Sequence, residues 1–192
     1  MQEPQRRREL SDIEALKALA HPLRQQMLAW LQRHGSATSA DLAVTFAADR
    51  GATSYHLRQL ERFGFVEEDG ARSVGRRRYW RAVPQDLRLP RRAGSTEVGT
   101  AAQEVARLWR ERAERHLTAF LADPDSFGEF GAAAMQSFGG TTLTAGELAE
   151  FAEEYIALLN RWRREPDRAS PGSRHITVLF DAFPTPDDGT PS

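Results

Sequence analysis

The spacing of apolar residues changes character once, at Gly64, and that change limits what the chain can fold into. Before Gly64 the spacing is helical. Thr38-Ser39-Ala40-Asp41 has capping-box spacing and predicts a short helix with Leu42, Ala43 and Phe46 on one face. A break at Asp49-Arg50-Gly51 precedes a second helix, predicted from about Thr53 to Phe63, with Leu57, Leu60 and Phe63 toward a core. After Gly64 the pattern is strand-like. Phe65-Val66-Glu67-Glu68 reads as one strand and Arg78-Tyr79-Trp80-Arg81-Ala82-Val83 as its return, with Asp69-Gly70 and Gly75 bracketing a basic tip. Two short helices, a tight turn and a hairpin make a helix-turn-helix with a wing.

Two further helices precede this motif. Ser11-Asp12-Ile13-Glu14 has capping-box spacing and opens a helix carrying Ile13, Leu16, Leu19 and Ala20. His21-Pro22 ends it, because a residue before proline is driven out of the α region. Pro22 then starts a helix with Leu23, Met27, Leu28 and Leu31 on its apolar stripe and Gly35 as its stop.

On the helix at 53–63, setting Leu57 and Leu60 at the centre of the buried face turns Tyr55, Arg58, Gln59 and Arg62 outward, with Ser54 and His56 at the margins. A guanidinium pairs bidentately with guanine and a carboxamide with adenine in a major groove. Ser54, Tyr55, Arg58 and Gln59 are therefore the expected base readers of double-stranded DNA. Thr53, Arg62 and the tip residues Arg72, Arg76, Arg77 and Arg78 are expected on its backbone. A plain solvated helix face and a solvated turn are the competing readings. His21 and His56 are expected to be structural.

The net charge of −1 conceals a split: residues 1–92 hold 17 basic and 11 acidic residues, and residues 93–192 hold 9 and 16. A basic half suits an anionic partner. Uniform arginine usage weakens the inference, since Lys17 is the one lysine.

The run Leu16-Lys17-Ala18-Leu19-Ala20-His21-Pro22-Leu23-Arg24 resembles the start of ArsR-type winged-helix repressors. Residues 52–66 (ATSYHLRQLERFGFV) resemble their recognition helix and entry into the wing, and Gly75-Arg76-Arg77-Arg78-Tyr79-Trp80 the returning wing strand. The likeness covers about residues 11–83. It implies a transcriptional regulator, a repressor bound as a homodimer to a near-palindromic operator, with an appended C-terminal domain. It also implies a dimerisation helix after the wing. A predicted helix at about 98–122 stands there, with Val105, Trp109, Ala113, His116 and Phe120 along one stripe. Packing of that stripe on its own core is the alternative.

Further along, residues 123–143 are ambiguous, with Phe127, Phe130, Met135 and Phe138 as apolar anchors and a strand conceivable within 134–143. Thr144-Ala145-Gly146-Glu147 caps another helix carrying Leu148, Phe151, Tyr155, Leu159 and Trp162. His175 to Phe183 reads as a strand, because Ile176, Val178 and Phe180 alternate with their neighbours. The aromatic residues of 123–183 could line a pocket for a small apolar effector, though core packing is the commoner use of such residues.

The expected fold is thus mainly α with small β: a winged helix-turn-helix followed by a long helix and a small α+β C-terminal domain. The expected domains are a mobile arm at 1–10, a DNA-binding domain at 11–83, a linker at 84–97, a dimerisation domain with a possible effector site at 98–183 and a disordered tail at 184–192.

Other classes fit less well. There is no cysteine, which removes disulfides, thiolate metal sites and cysteine nucleophiles. His21, His34, His56, His116 and His175 show no metal-ligand spacing, so neither metal nor cofactor is expected. No nucleophile elbow, phosphate loop, dinucleotide fingerprint or zinc-protease motif occurs, which argues against an enzyme. A winged-helix module that contacts only protein is a further alternative, which has no need of the basic face. Mean hydropathy is −0.57 and no apolar run nears the ~20 residues that span a bilayer, so a cytoplasmic protein without a membrane partner is expected.

Overall fold

The computed structural model describes residues 6–75, 77–90, 94–164 and 169–186. They fall into two compact units: the described residues of Met1–Arg112 and Arg164–His175, and those of Ala113–Arg163 and Ile176–Ser192. Among them no helix is long and apolar enough to cross a membrane.

The first unit is a winged helix-turn-helix. Helix α1 (Ile13–Leu19) is capped by Asp12, whose carboxylate accepts from the Glu14 amide, so the cap lies one residue after the expected Ser11. Helix α2 (Pro22–His34) starts at the proline and stops at Gly35. Strand β2 (Ala37–Thr38) leads into α3 (Ser39–Thr45), which has the full Thr38–Asp41 capping box. A turn with Ala47 at φ +47° joins it to α4 (Arg50–Arg62). This helix begins earlier than the expected Thr53, because the Asp49 carboxylate accepts from the Ala52 amide and caps it. Gly64 follows at φ +66°, where a side chain would be strained.

Strands β3 (Val66–Glu68) and β4 (Tyr79–Ala82) form the antiparallel wing, with Val66 opposite Ala82 and Glu68 opposite Trp80. The other edge of β4 pairs with β2, Ala37 opposite Trp80, so the sheet has three strands. At the tip, Val74 and Arg77 exchange backbone hydrogen bonds and Gly75 sits at φ +62°. Asp69 anchors the near side. Its buried carboxylate accepts from the Ser36 hydroxyl, which holds its pKa below the usual carboxylate value.

The expected arm and linker are not loose over their whole length. Strand β1 (Arg6–Glu9) pairs in parallel with β5 (Gln85–Arg88), in register Arg6 to Gln85. Arg8 donates to the Phe63 carbonyl and its guanidinium lies 4.6 Å from the Phe65 ring centroid. The pairing rests on backbone hydrogen bonds between segments without apolar alternation, so no side-chain period marks it. The remainder of the expected arm and linker includes residues 1–5 and 91–93, outside the described residues.

Leu16, Leu19, Met27, Leu31, Leu42, Leu57, Leu60, Phe65 and Val66 form the core, closed by Ala101, Ala102 and Val105 from helix α5 (Thr96–Ala122).

The second unit begins within α5. A single 3-10 turn (Pro124–Phe127), α6 (Glu129–Ala133) and α7 (Ala145–Trp162) follow. Thr144 and Glu147 cap α7 reciprocally, as expected from their spacing. None of the unit's described residues is buried, and Met135 and Phe138 stand at the surface rather than anchoring it. The expected strand at 175–183 is absent, as is any strand within 134–143, so the described part of this unit is helical rather than α+β. A strand needs a partner for its N–H and C=O groups, and this unit has no other strand among its described residues. Of the expected tail, 187–192 lie outside the described residues.

Candidate nucleic-acid interface

Helix α4 is held by Leu57 and Leu60, both fully buried, and this fixes which side chains face outward. Tyr55, Arg58 and Arg62 are exposed, whereas Ser54 and Gln59 are half-buried at the edges of the outer face. Arg62 lies over the Phe63 ring at 5.3 Å. Thr53 departs from expectation. It is 1% exposed, and its hydroxyl donates to the Asp49 carbonyl at 2.9 Å. A side chain spent on the first turn of its own helix does not reach a phosphate.

Between α4, the start of α3 and the base of the wing lies a groove of about 550 Å³. Ser54 and Arg58 line it from α4, Thr38 to Asp41 from α3, and Arg77, Arg78, Tyr79 and Trp80 from the wing. It holds three guanidiniums and one carboxylate. The carboxylate, Asp41, accepts from the Thr38 hydroxyl at 2.7 Å and the Thr38 amide at 2.9 Å, and these bonds hold its pKa below the usual range. It stays ionised while structurally occupied, and the balance of the groove is cationic.

The tip arginines engage neighbours weakly. Arg72 lies over the Tyr79 ring at 5.2 Å, and Arg78 stands 3.6 Å from the Glu68 carboxylate. Arg77 is exposed. Arg76 lies outside the described residues. Exposed pairs of this kind contribute about 0–1 kcal/mol, so a phosphate could displace them.

One cluster was missed as a unit in the sequence. The His21 and His56 rings have centroids 4.5 Å apart, and Tyr55 meets His56 edge-on at 5.5 Å. Arg24 donates to the Lys17 and Ala18 carbonyls at the end of α1 and lies 3.4 Å from His56 Nδ1. The cluster ties the α1–α2 junction to the outer face of α4. Burial lowers both histidine pKa values, and Arg24 lowers them further, as does His21 for His56. No carboxylate contributes to either shift. The signal in the sequence was the pairing of His21 and Arg24 around Pro22, but the approach of His56 is a long-range event.

A pH dependence follows. With folded-state values below the ordinary 6.5, the unfolded chain takes up protons first as pH falls. Stability supplied by the neutral rings is complete above about 6.5 and is lost as pH drops through the lowered values. Urea melts at about pH 7.5 and about pH 5.5 are expected to show this loss, and His56→Gln to reduce it. Equal stability at both values would exclude titration of the pair in this range.

The stripe expected to self-associate divides. Val105 is 0% exposed in the first unit's core, and Trp109 packs half-buried against it with Nε1 donating to Gln25 Oε1 at 3.2 Å. Both are committed to their own unit, which corrects their expected place in a dimer contact. Ala113, His116 and Phe120 belong to the second unit, where His116 Nδ1 lies 2.9 Å from Thr177 Oγ1 and Phe120 meets Phe127 edge-on at 5.3 Å. The described residues contain no group of three potential metal ligands.

No family model matches the sequence, and no curated protein matches it. Two solved structures are partly similar. Reduced HlyU from Vibrio cholerae is 24% identical, with a TM-score of 0.32, over 50% of this chain and 85% of that one. An apo mutant of Lactococcus lactis ZitR is 14% identical, with a TM-score of 0.31, over 77% and 86%. Neither likeness is close enough to carry a function over, so function rests on the chain's own residues.

Proposed function

We propose that the chain is a sequence-specific DNA-binding transcriptional regulator, a cytoplasmic repressor of ArsR type that binds a near-palindromic operator as a homodimer. The observation that carries this is the outward face of α4, with Tyr55, Arg58 and Gln59 beside a cationic groove shared with the wing. In this reading α4 enters the major groove, Arg58 and Gln59 contact base edges with Ser54 and Tyr55, and Arg62, Arg72, Arg76, Arg77 and Arg78 contact phosphates. No step of this role needs a cofactor or a reaction, so the chain is not proposed as an enzyme.

Selection of bound duplexes from genomic DNA, followed by substitution, tests it. Arg58→Ala or Gln59→Ala is expected to cost about 1–3 kcal/mol of binding and to relax preference at one base position. A uniform loss across sequences would place these side chains on phosphates. Absence of binding to any fragment would overturn the reading.

A further inference from the structure

The second unit leaves large apolar side chains at the surface, and helix α7 arranges them in a line. Leu148, Phe151, Tyr155, Leu158 and Trp162 recur at alternating spacings of three and four residues. That is the seam of a helix that packs lengthwise against another helix. The C-terminal segment covers one side of it. Tyr155 stacks on Phe180 at 3.8 Å, and Phe151 lies 5.9 Å from the same ring. The remainder is open, with Phe151 43%, Leu158 44% and Trp162 73% exposed. Solvated apolar side chains in one line are expected to be covered by a partner.

Charge selects the occupant. Along one flank of the seam Glu147, Glu154 and Arg161 recur every seven residues, so the flank is acidic first and basic last. A second α7 laid parallel would set these residues against Ala152 and Leu159, which offer no charge. Laid antiparallel about a two-fold axis, it sets Glu154 of each copy beside Arg161 of the other. It also opposes the two helix dipoles. A partner for this face needs an apolar line with the same charges in reverse order, and the chain itself supplies one.

We propose that α7 is a self-association surface, pairing antiparallel with α7 of a second copy of this chain. The proposal deepens the homodimer reading above and rests on it, while moving the contact away from Val105 and Trp109.

The test uses the full chain. Light scattering is expected to give a mass near 43 kDa, twice the 21.5 kDa chain. Glu154→Arg or Arg161→Glu alone turns both ion pairs repulsive and is expected to weaken association about tenfold. Combining the two exchanges the signs and is expected to restore the original constant, which loss of fold would not do. Leu158→Glu, at an exposed position, is expected to give a monomer with unchanged circular dichroism. A monomeric parent chain, association unaffected by these changes, or failure of the double variant to recover overturns the proposal. Binding to a duplex carrying one half-site is measured in parallel. It requires α4 and not α7, so its loss in the parent chain would strike the DNA reading alone.

Discussion

Affinity for an operator duplex is expected to fall roughly 10³–10⁵-fold between about 50 and about 200 mM salt. Each phosphate neutralised by a guanidinium releases condensed counterions, and the logarithm of affinity falls with the logarithm of salt in proportion to their number. Arg62, Arg72, Arg77 and Arg78 are exposed beside the outer face of α4 or on the wing. Two copies of that set match the ~6–10 phosphate contacts that give a fall of this size. The acidic residues 93–192 do not cancel the effect, because charges more than about 10 Å from a phosphate are screened at these salt concentrations. The measurement is fluorescence anisotropy with a labelled duplex across a salt series. Arg77→Ala is expected to lower the slope by about one for each contact removed, with little change in base preference. An affinity independent of salt would mean that the wing does not touch the backbone.

Phe65→Ala is expected to lower the unfolding free energy by about 3–5 kcal/mol, a large share of the ~5–15 kcal/mol of an ordinary domain. Phe65 is completely buried where α4 gives way to the wing. Its amide donates to the Leu60 carbonyl at 2.9 Å, and its carbonyl accepts from the Val83 amide at 3.0 Å. The backbone is thus held from both sides and cannot collapse freely into the space the ring leaves. The Arg8 guanidinium would also lose the ring it covers. Urea unfolding measures the cost. Phe65→Leu is expected to cost less, since most of the volume is retained. A cost below about 1 kcal/mol for the alanine variant would show that the ring is not part of a close-packed core.

What was legible in the sequence was local. The capping boxes at Thr38–Asp41 and Thr144–Glu147, the stop at Gly35 and the proline start of α2 each depend on residues within about one helical turn, and each lies where the spacing placed it. The outward face of α4 followed from Leu57 and Leu60 by rotation alone. Thr53 shows the limit of that argument. Its rotational position does not reveal that the helix begins at Arg50, which turns its hydroxyl back onto Asp49.

Alternation at Ile176, Val178 and Phe180 shows what a strand would look like but not whether an edge exists to receive it. The three side chains belong to a segment without a ladder, and Phe180 stacks on Tyr155 instead. The apolar line on α5 likewise said that Val105 and Trp109 would be covered, and could not say by what.

The sequence by itself determined the order of elements, their caps and the faces they bury, because helix periodicity and capping act over a few residues. Only the tertiary structure decided that β1 pairs with β5, that His56 reaches His21 and Arg24, that Val105 closes the first core and that 175–183 finds no strand. Each of these depends on which distant backbone or ring comes within a few ångströms, and no pattern confined to one segment records that.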